Sequence, residues 1–346
     1  MIPVSVLTGF LGSGKTTILA HLMRDPALAD TAVIINEFGD VGLDHDLIES
    51  SDETLVTLRT GCLCCKIQGD LVLTLNDLLA RRAAGTVPAF KRIVVETSGL
   101  ADPAPILQGL MIDDVLAGHI ELSRVVTVVD AVNGADTLAR QPEARKQVAV
   151  ADQLVISKLD LAEHDASALR LAAIAINPSA PLENVSHGEL DAEALFPTGP
   201  AGSNALNIAV TLPNHHKYHA SHDDISTFAI VREAPIPAVA LSLFLEALSD
   251  HCGADLLRLK GLVHVEENPD QPAVIHGVQH VFHTPDWLDD WPSDDRRTRI
   301  VFIVRGISET WITALLDAIE IEVDESSRHM SSAPNVSQGT SGKHIQ

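Results

Sequence analysis

Cys62, Cys64 and Cys65 put three of the chain's four cysteines into four consecutive residues. A lone neutral cysteine behaves as a small core hydrophobe, and Cys252, near the end of a helical stretch, reads that way. Three adjacent thiols read differently. As thiolates they supply three soft ligands to a tetrahedral Zn²⁺ and leave the fourth position to a carboxylate, a histidine or water. An open fourth position suits transfer better than a closed structural site. Co²⁺ and Cu(I) accept the same donors, so ligand type alone does not separate them. A redox pair and buried small residues are the competing readings. The spacing is too tight for a zinc ribbon, whose ligands come as two separated pairs.

A phosphate site flanks this run on both sides. The segment from Gly9 through Gly12, Ser13 and Gly14 to Lys15 and Thr16 has Walker A spacing. Its glycines let backbone N–H groups curl around phosphate oxygens, and the helix opening there adds its dipole. Lys15 brings a point charge to the β- and γ-phosphates, and the Thr16 hydroxyl is the expected Mg²⁺ ligand. Glu96 closes an apolar strand, Val94-Val95-Glu96, at the Walker B position that orients Mg²⁺ or its water shell. Alone, a strand-end glutamate is more often a solvated carboxylate; after a Walker A strand the functional reading is better. Gly99, three residues on, lets the backbone approach a γ-phosphate.

The third element is Ser157-Lys158-Leu159-Asp160, an N-K-x-D-like guanine motif with serine in the first place. Asp160 can accept from both N1–H and the 2-amino group of guanine, whereas adenine would leave that carboxylate unpaired. The Lys158 stem can cover the base. The motif therefore favours GTP over ATP.

Other candidates are weaker. Glu37 and Asp40, in Asn36-Glu37-Phe38-Gly39-Asp40, stand where switch loops lie and could reach Mg²⁺, the attacking water or a thiolate-bound metal. His215, His216, His219 and His222 form a cluster that could collect metal or simply be a solvated loop. His276, His280 and His283 lie in a β-rich stretch where period two places His283 on the opposite face, which favours a structural reading.

These groups need a frame that gathers strand ends. Strands are expected at 4–8, 31–36, 54–58, 92–97, 124–130 and 153–157, with helices at 15–24, 69–82, 104–110 and 166–177. Val/Ile runs such as Val125-Val126-Thr127-Val128-Val129 suit strands covered on both faces. The alternation predicts an α/β, P-loop NTPase fold with a doubly wound, mostly parallel sheet over residues 1–185. Residues 186–224 are rich in Gly, Pro, Asn, His and Ser and read as a linker. A smaller α+β C-terminal domain with an antiparallel sheet is expected over 225–322. Its strands are expected at 226–232, 256–266, 273–276, 279–283 and 299–305, and its helices at 237–251 and 308–319. Residues 323–346 read as a disordered tail.

Composition sets limits. Hydrophobic residues make up 46% and aromatics 3%, so a folded core must be built mainly from Ala, Leu, Val and Ile. A net charge of −23 repels nucleic acid and anionic membranes, and neither is an expected partner. No basic leader precedes the first strand and no run is apolar enough to span a bilayer. The cytoplasm is the expected location, where thiols stay reduced.

With Gly9-Phe10-Leu11-Gly12-Ser13-Gly14-Lys15-Thr16-Thr17, Asn36-Glu37-Phe38-Gly39-Asp40, Gly61-Cys62-Leu63-Cys64-Cys65, Glu96-Thr97-Ser98-Gly99 and Ser157-Lys158-Leu159-Asp160 in this order, the chain resembles the CobW-like GTP-binding metallochaperone family over about residues 2–322. Arg258-Leu259-Lys260-Gly261, His276-Gly277-Val278-Gln279 and Trp287 resemble that family's C-terminal domain. The resemblance implies a GTPase of low intrinsic turnover that binds Zn²⁺ or Co²⁺ and couples nucleotide state to metal delivery. It implies nucleotide contacts from Gly12 to Thr17 and from Lys158 and Asp160, with Cys62, Cys64 and Cys65 as metal ligands. Lys15, Thr16 and Glu96 would polarise the triphosphate with Mg²⁺, and Glu37 would orient the water. Many members carry a glutamate where this chain has Ile35, so one carboxylate is missing, and Asp40 is within reach as a substitute. A cobalt insertion factor for cobalamin synthesis, a P-loop phosphotransferase on a small molecule and a passive metal store are the alternatives. The client metalloprotein is not named by the residues, and a homodimer is an open assembly.

Overall fold

The computed structural model describes residues 1–38, 55–60, 64–113, 115–116, 118–162, 166–185, 190–198, 218–219, 225–282 and 284–332. For 36–38, 55–60, 64–69, 218–219 and 329–332 it describes the backbone alone. Along the first half run β1 (Ile2–Thr8), α1 (Lys15–Leu22), β2 (Thr31–Phe38), β3 (Leu55–Thr60), α2 (Cys64–Ala83), β4 (Arg92–Glu96), α3 (Ala104–Ile112), β5 (Ile120–Asp130), α4 (Gly134–Arg140), α5 (Pro142–Ala149), β6 (Gln153–Ser157), α6 (Ser167–Ile176), β7 (Leu182–Asn184) and α7 (Ala192–Leu195). The seven strands form one sheet in the order β3-β2-β4-β1-β5-β6-β7, and every pairing in it is parallel.

Both faces of this sheet are covered, which is why its strands read as continuous Val/Ile runs. Period two divides each strand between two cores. Val4, Val6, Ile34, Ile93 and Val95 meet Leu71, Leu75 and Leu78 of α2 and Leu107 and Leu110 of α3. Leu7, Val33, Ile35, Val94 and Val126 meet Ile18, Leu19 and Leu22 of α1 on the other side. A parallel sheet brings all its strand C-termini to one edge, where ligands bind.

The second half comprises β8 (Tyr218–His219), β9 (Ile225–Arg232), α8 (Ala238–Cys252), β10 (Leu256–Val263), β11 (Ala273–Val278), β12 (Val281–Phe282), β13 (Asp286–Trp287), β14 (Thr298–Arg305) and α9 (Glu309–Ser332). Its sheet runs β12-β11-β10-β14-β9-β8, with β13 also paired to β11, and all pairings are antiparallel. Phe228 and Phe302 stack at 5.3 Å between ring centroids, and Phe244 of α8 meets Phe302 edge-on.

Four expectations need correction. Part of the stretch read as a linker is folded onto the first sheet: Asp191 caps α7, and Leu195 and Phe196 are buried beside Leu7 and Ile18. Arg92 fixes it there, donating to the Phe196 carbonyl and pairing with Glu193 at 2.8 Å. The helix expected at 308–319 continues to Ser332, through much of the stretch read as a disordered tail. Ile319 and Val323 extend its apolar stripe against the C-terminal core, and Asp324 pairs with Arg328 one turn on. Residues 333–346 lie outside the described residues. The strand expected at 279–283 shrinks to Val281–Phe282, because Gln279 takes φ 55° in a hairpin turn. The helix expected from Gly69 starts five residues earlier, at Cys64.

The two sheets are joined by a buried ion cluster. Asp152, just before β6, accepts from Arg258 Nη2 at 2.5 Å and from the Val125 N–H at 2.8 Å, and it also pairs with Lys260. Burial works to raise the Asp152 carboxyl, but the Arg258 and Lys260 charges and the Val125 N–H outweigh it and hold that carboxyl far below the usual carboxylate range.

Candidate nucleotide and metal site

The loop from Gly9 to Gly14 leaves β1 and opens α1. Gly9 has φ 143°, and a Cβ there would lie 2.3 Å from the Val128 carbonyl, so the loop closes against β5 only with glycine. Lys15 is buried and donates back to the Gly9 carbonyl at 2.9 Å and the Phe10 carbonyl at 3.3 Å. This places an ammonium inside the loop's own ring. Ser13 Oγ is buried without a hydrogen-bond partner among the described residues.

Thr16, the next residue of α1, donates from Oγ1 to Glu96 Oε1 at 2.6 Å. These two residues lie 80 apart in sequence, and the sheet order brings them together because β4 is the immediate neighbour of β1. Beyond β4, Thr97 donates to Thr8 Oγ1 at 2.8 Å. Gly99 then touches the Walker A loop: a Cβ there would sit 2.7 Å from Leu11 N. A hydroxyl and a carboxylate at one point make a hard-oxygen pair suited to Mg²⁺, which takes few protein ligands and keeps its waters.

On the other side, Ser157 donates to the Ser13 carbonyl at 2.6 Å. Lys158, in left-handed conformation at φ 59°, reaches across to the Gly12 carbonyl at 2.5 Å and to Asp130 Oδ2 at 2.8 Å. Burial acts to raise the Asp130 carboxyl. The Lys158 ammonium, the Val132 N–H and the Asn133 side chain outweigh burial and hold it below its ordinary value. A crevice of about 140 Å³, lined by Leu11, Gly12, Ser13, Asp130, Gln147 and Lys158 among others, opens here. Asp160 is exposed at the end of this loop.

Gly9, Gly12, Ser13, Gly14, Lys15, Thr16, Glu96, Gly99 and Lys158 thus lie around one loop, with Thr17 in the first turn of α1. Glu37 lies at the C-terminal end of β2, two residues past Ile35, which pairs with Glu96. The same sheet edge therefore holds Glu37 and Glu96 on adjacent strands. Asp40 and Cys62 lie outside the described residues. Cys64 and Cys65 form the start of α2, after the C-terminal end of β3, the outermost strand of this sheet among the described residues. Among the described residues no cluster of three His, Cys, Asp or Glu could hold a metal, and none of their helices is long and apolar enough to cross a membrane. His215, His216 and His222 lie outside the described residues.

Motif reading missed Asp130, Lys146 and Gln147. Asp130 had a signal, an acid ending a Val-rich strand one strand from the Walker A loop. Lys146 and Gln147 had none, since they look like ordinary helix residues.

A family model described as the CobW/HypB/UreG nucleotide-binding domain matches residues 3–183. A second, the cobalamin synthesis protein cobW C-terminal domain, matches residues 225–320. The chain is 34% identical over 313 residues to the zinc chaperone YjiA of Escherichia coli, covering 90% of this chain and 97% of that protein. It is 29% identical over 353 residues to the zinc chaperone CobW of Pseudomonas aeruginosa, covering 90% and 89%. The crystal structure of Zn(II)-bound YjiA GTPase from E. coli aligns with a TM-score of 0.70 at 29% identity, covering 92% of this chain and 98% of that one.

Proposed function

Because the chain belongs to the CobW family of nucleotide-binding proteins, we propose that it is a GTP-hydrolysing metallochaperone coupling nucleotide state to capture and delivery of Zn²⁺. The observation that carries this reading is the Thr16–Glu96 contact beside Lys15. It joins a phosphate loop and a metal-orienting acid at the sheet edge from which the chain runs into the cysteine segment. The names of the relatives favour zinc over cobalt as cargo.

In this reading the N–H groups from Gly12 to Thr17 hold the β- and γ-phosphates at the α1 N-terminus. Lys15 moves from its loop carbonyls to the phosphate oxygens. Thr16 and Glu96 would hold Mg²⁺, which would supply positive charge against the phosphate oxygens. Glu37 orients the attacking water. Turnover is slow without a client. Zn²⁺ is cargo, carried by Cys62, Cys64 and Cys65 with a carboxylate such as Glu37 or Asp40 completing the shell.

Coupling between the sites is reciprocal: GTP must change Zn²⁺ affinity by the factor by which Zn²⁺ changes GTP affinity. The test is a Zn²⁺ titration of the full chain with GDP and with a non-hydrolysable GTP analogue. Unequal affinities are expected; equal ones would sink the coupling. For the base, Asp160→Asn exchanges an acceptor for a donor. GTP affinity should fall on the order of tenfold to a hundredfold, because two charge-assisted hydrogen bonds are lost. Xanthosine triphosphate, which offers an acceptor in place of the 2-amino group, should bind the variant better than the parent. Competition binding with both nucleotides reads this out, and unchanged preference would remove Asp160 from the base site.

A further inference from the structure

The segment from Ser98 to Asp102, between β4 and α3, is held by two neighbouring residues of α5. Gln147 has no exposed surface and donates from Nε2 to the carbonyls of Gly99 at 3.2 Å and Ala101 at 3.1 Å. Two carbonyl oxygens facing one atom identify that atom as the nitrogen. Lys146 pairs with Asp102 at 2.7 Å. Helix α5 is itself anchored: the Gln147 carbonyl accepts from Thr127 Oγ1 of β5 at 2.8 Å, and Arg145 Nη1 donates to the Leu138 carbonyl of α4 at 2.7 Å. The segment is thus tied at Gly99, Ala101 and Asp102 to a fixed support, and on its other side Gly99 abuts Leu11 of the Walker A loop.

Packing does not explain the glutamine. Its Oε1 is buried without a hydrogen-bond partner among the described residues, and a buried acceptor left unmet is unfavourable. Leucine would fill a similar volume without that cost. What glutamine supplies is a donor that fixes the Gly99–Leu100 and Ala101–Asp102 peptides on either side of the Ala101 N–H, which in turn holds the Ser98 carbonyl at 3.0 Å and with it the Ser98–Gly99 peptide that carries the Gly99 N–H. We propose that Gln147, assisted by Lys146, is a positioning residue that aims the Gly99 N–H at the terminal phosphate of GTP. This rests on the GTP reading above. A diphosphate offers nothing for Gly99 to meet, so Gln147 sets the preference for GTP over GDP while touching neither.

The test uses the full chain with Gln147→Leu, Gln147→Glu and Lys146→Ala. Affinities for a non-hydrolysable GTP analogue and for GDP are measured separately, together with kcat and KM for GTP. Analogue affinity should fall about tenfold in Gln147→Leu, the worth of two neutral hydrogen bonds, with GDP affinity unchanged. Gln147→Glu, which has no N–H and faces two carbonyls with a charge, should lose at least as much. Lys146→Ala, at a half-buried position, should lose less in the same selective way. Equal weakening for both nucleotides, as a merely structural role would give, overturns the proposal, and so does no change for either. If Gln147→Leu does not fold, the same comparison on Lys146→Ala decides. A parent chain that binds neither nucleotide would overturn the GTP reading and this proposal together. Normal parental binding with insensitive variants overturns this proposal alone.

Discussion

Lys15→Ala is expected to lower kcat/KM for GTP by about 10²–10³-fold, the usual cost of removing one preorganised charge from a developing anion. The ammonium is already enclosed by the loop, bonded to the Gly9 and Phe10 carbonyls with little exposure. It therefore needs only a short move to the phosphates. The loop glycines have their own steric reasons for their shape, so the loop keeps its path without the lysine. Phosphate release and analogue binding should fall while the thermal melting profile stays near that of the parent. Lys15→Met, which keeps most of the stem, should behave the same, separating charge from packing. The nucleotide dependence of Zn²⁺ transfer should vanish with it. A variant that turns over GTP at the parental rate would remove Lys15 from the reaction.

Asp152→Ala is expected to be the most damaging change for stability, at about 3–5 kcal/mol, because it leaves Arg258 and Lys260 as buried charges without their carboxylate. Asp152→Asn keeps an acceptor for the Val125 N–H and should lose less. All three tryptophans, Trp287, Trp291 and Trp311, belong to the C-terminal half. Their fluorescence during urea unfolding therefore reports the side of the interface that carries the two cations. The pH dependence has a defined sign. The folded carboxyl lies far below its unfolded value of about 3.9. Its contribution is complete above about pH 4 and declines as pH falls below that toward the folded value. The gap between parent and Asp152→Ala should therefore narrow in acid. A gap that is constant or widens would show that the cluster is not what the mutation removes.

The parts legible in the sequence were those whose chemistry is packed into consecutive residues. Gly9 to Thr16 carries its loop, charge and hydroxyl in one segment, and the alternation of Val/Ile runs with helices leads to a parallel sheet. Thr16 and Glu96 were assigned separately, and strand order supplied their meeting. Asp152 was not legible as a functional or structural charge, since its cationic partners lie 106 residues and more away on another sheet. Arg258 and Lys260 share a face by period two, but nothing local says which carboxylate that face will meet. Gln147 was silent for the same reason. The expected start of α2 fell on the glycine at position 69, whereas the observed helix runs through it. Glycine in a helix interior costs about 1 kcal/mol, which the burial of Leu71, Leu75 and Leu78 offsets.

The outermost place of β3 divides the labour of the domain mechanically. Among the described residues β3 shares a ladder with β2 alone, whereas β1 and β4 are each clamped from both sides. Displacing β1 or β4 would break two ladders and open both cores. Sliding β3 would disturb one ladder, at the rim. Among the described residues, β3 is thus a strand whose displacement would leave the ladders of β1 and β4, which flank the Gly9–Gly14 loop, unbroken.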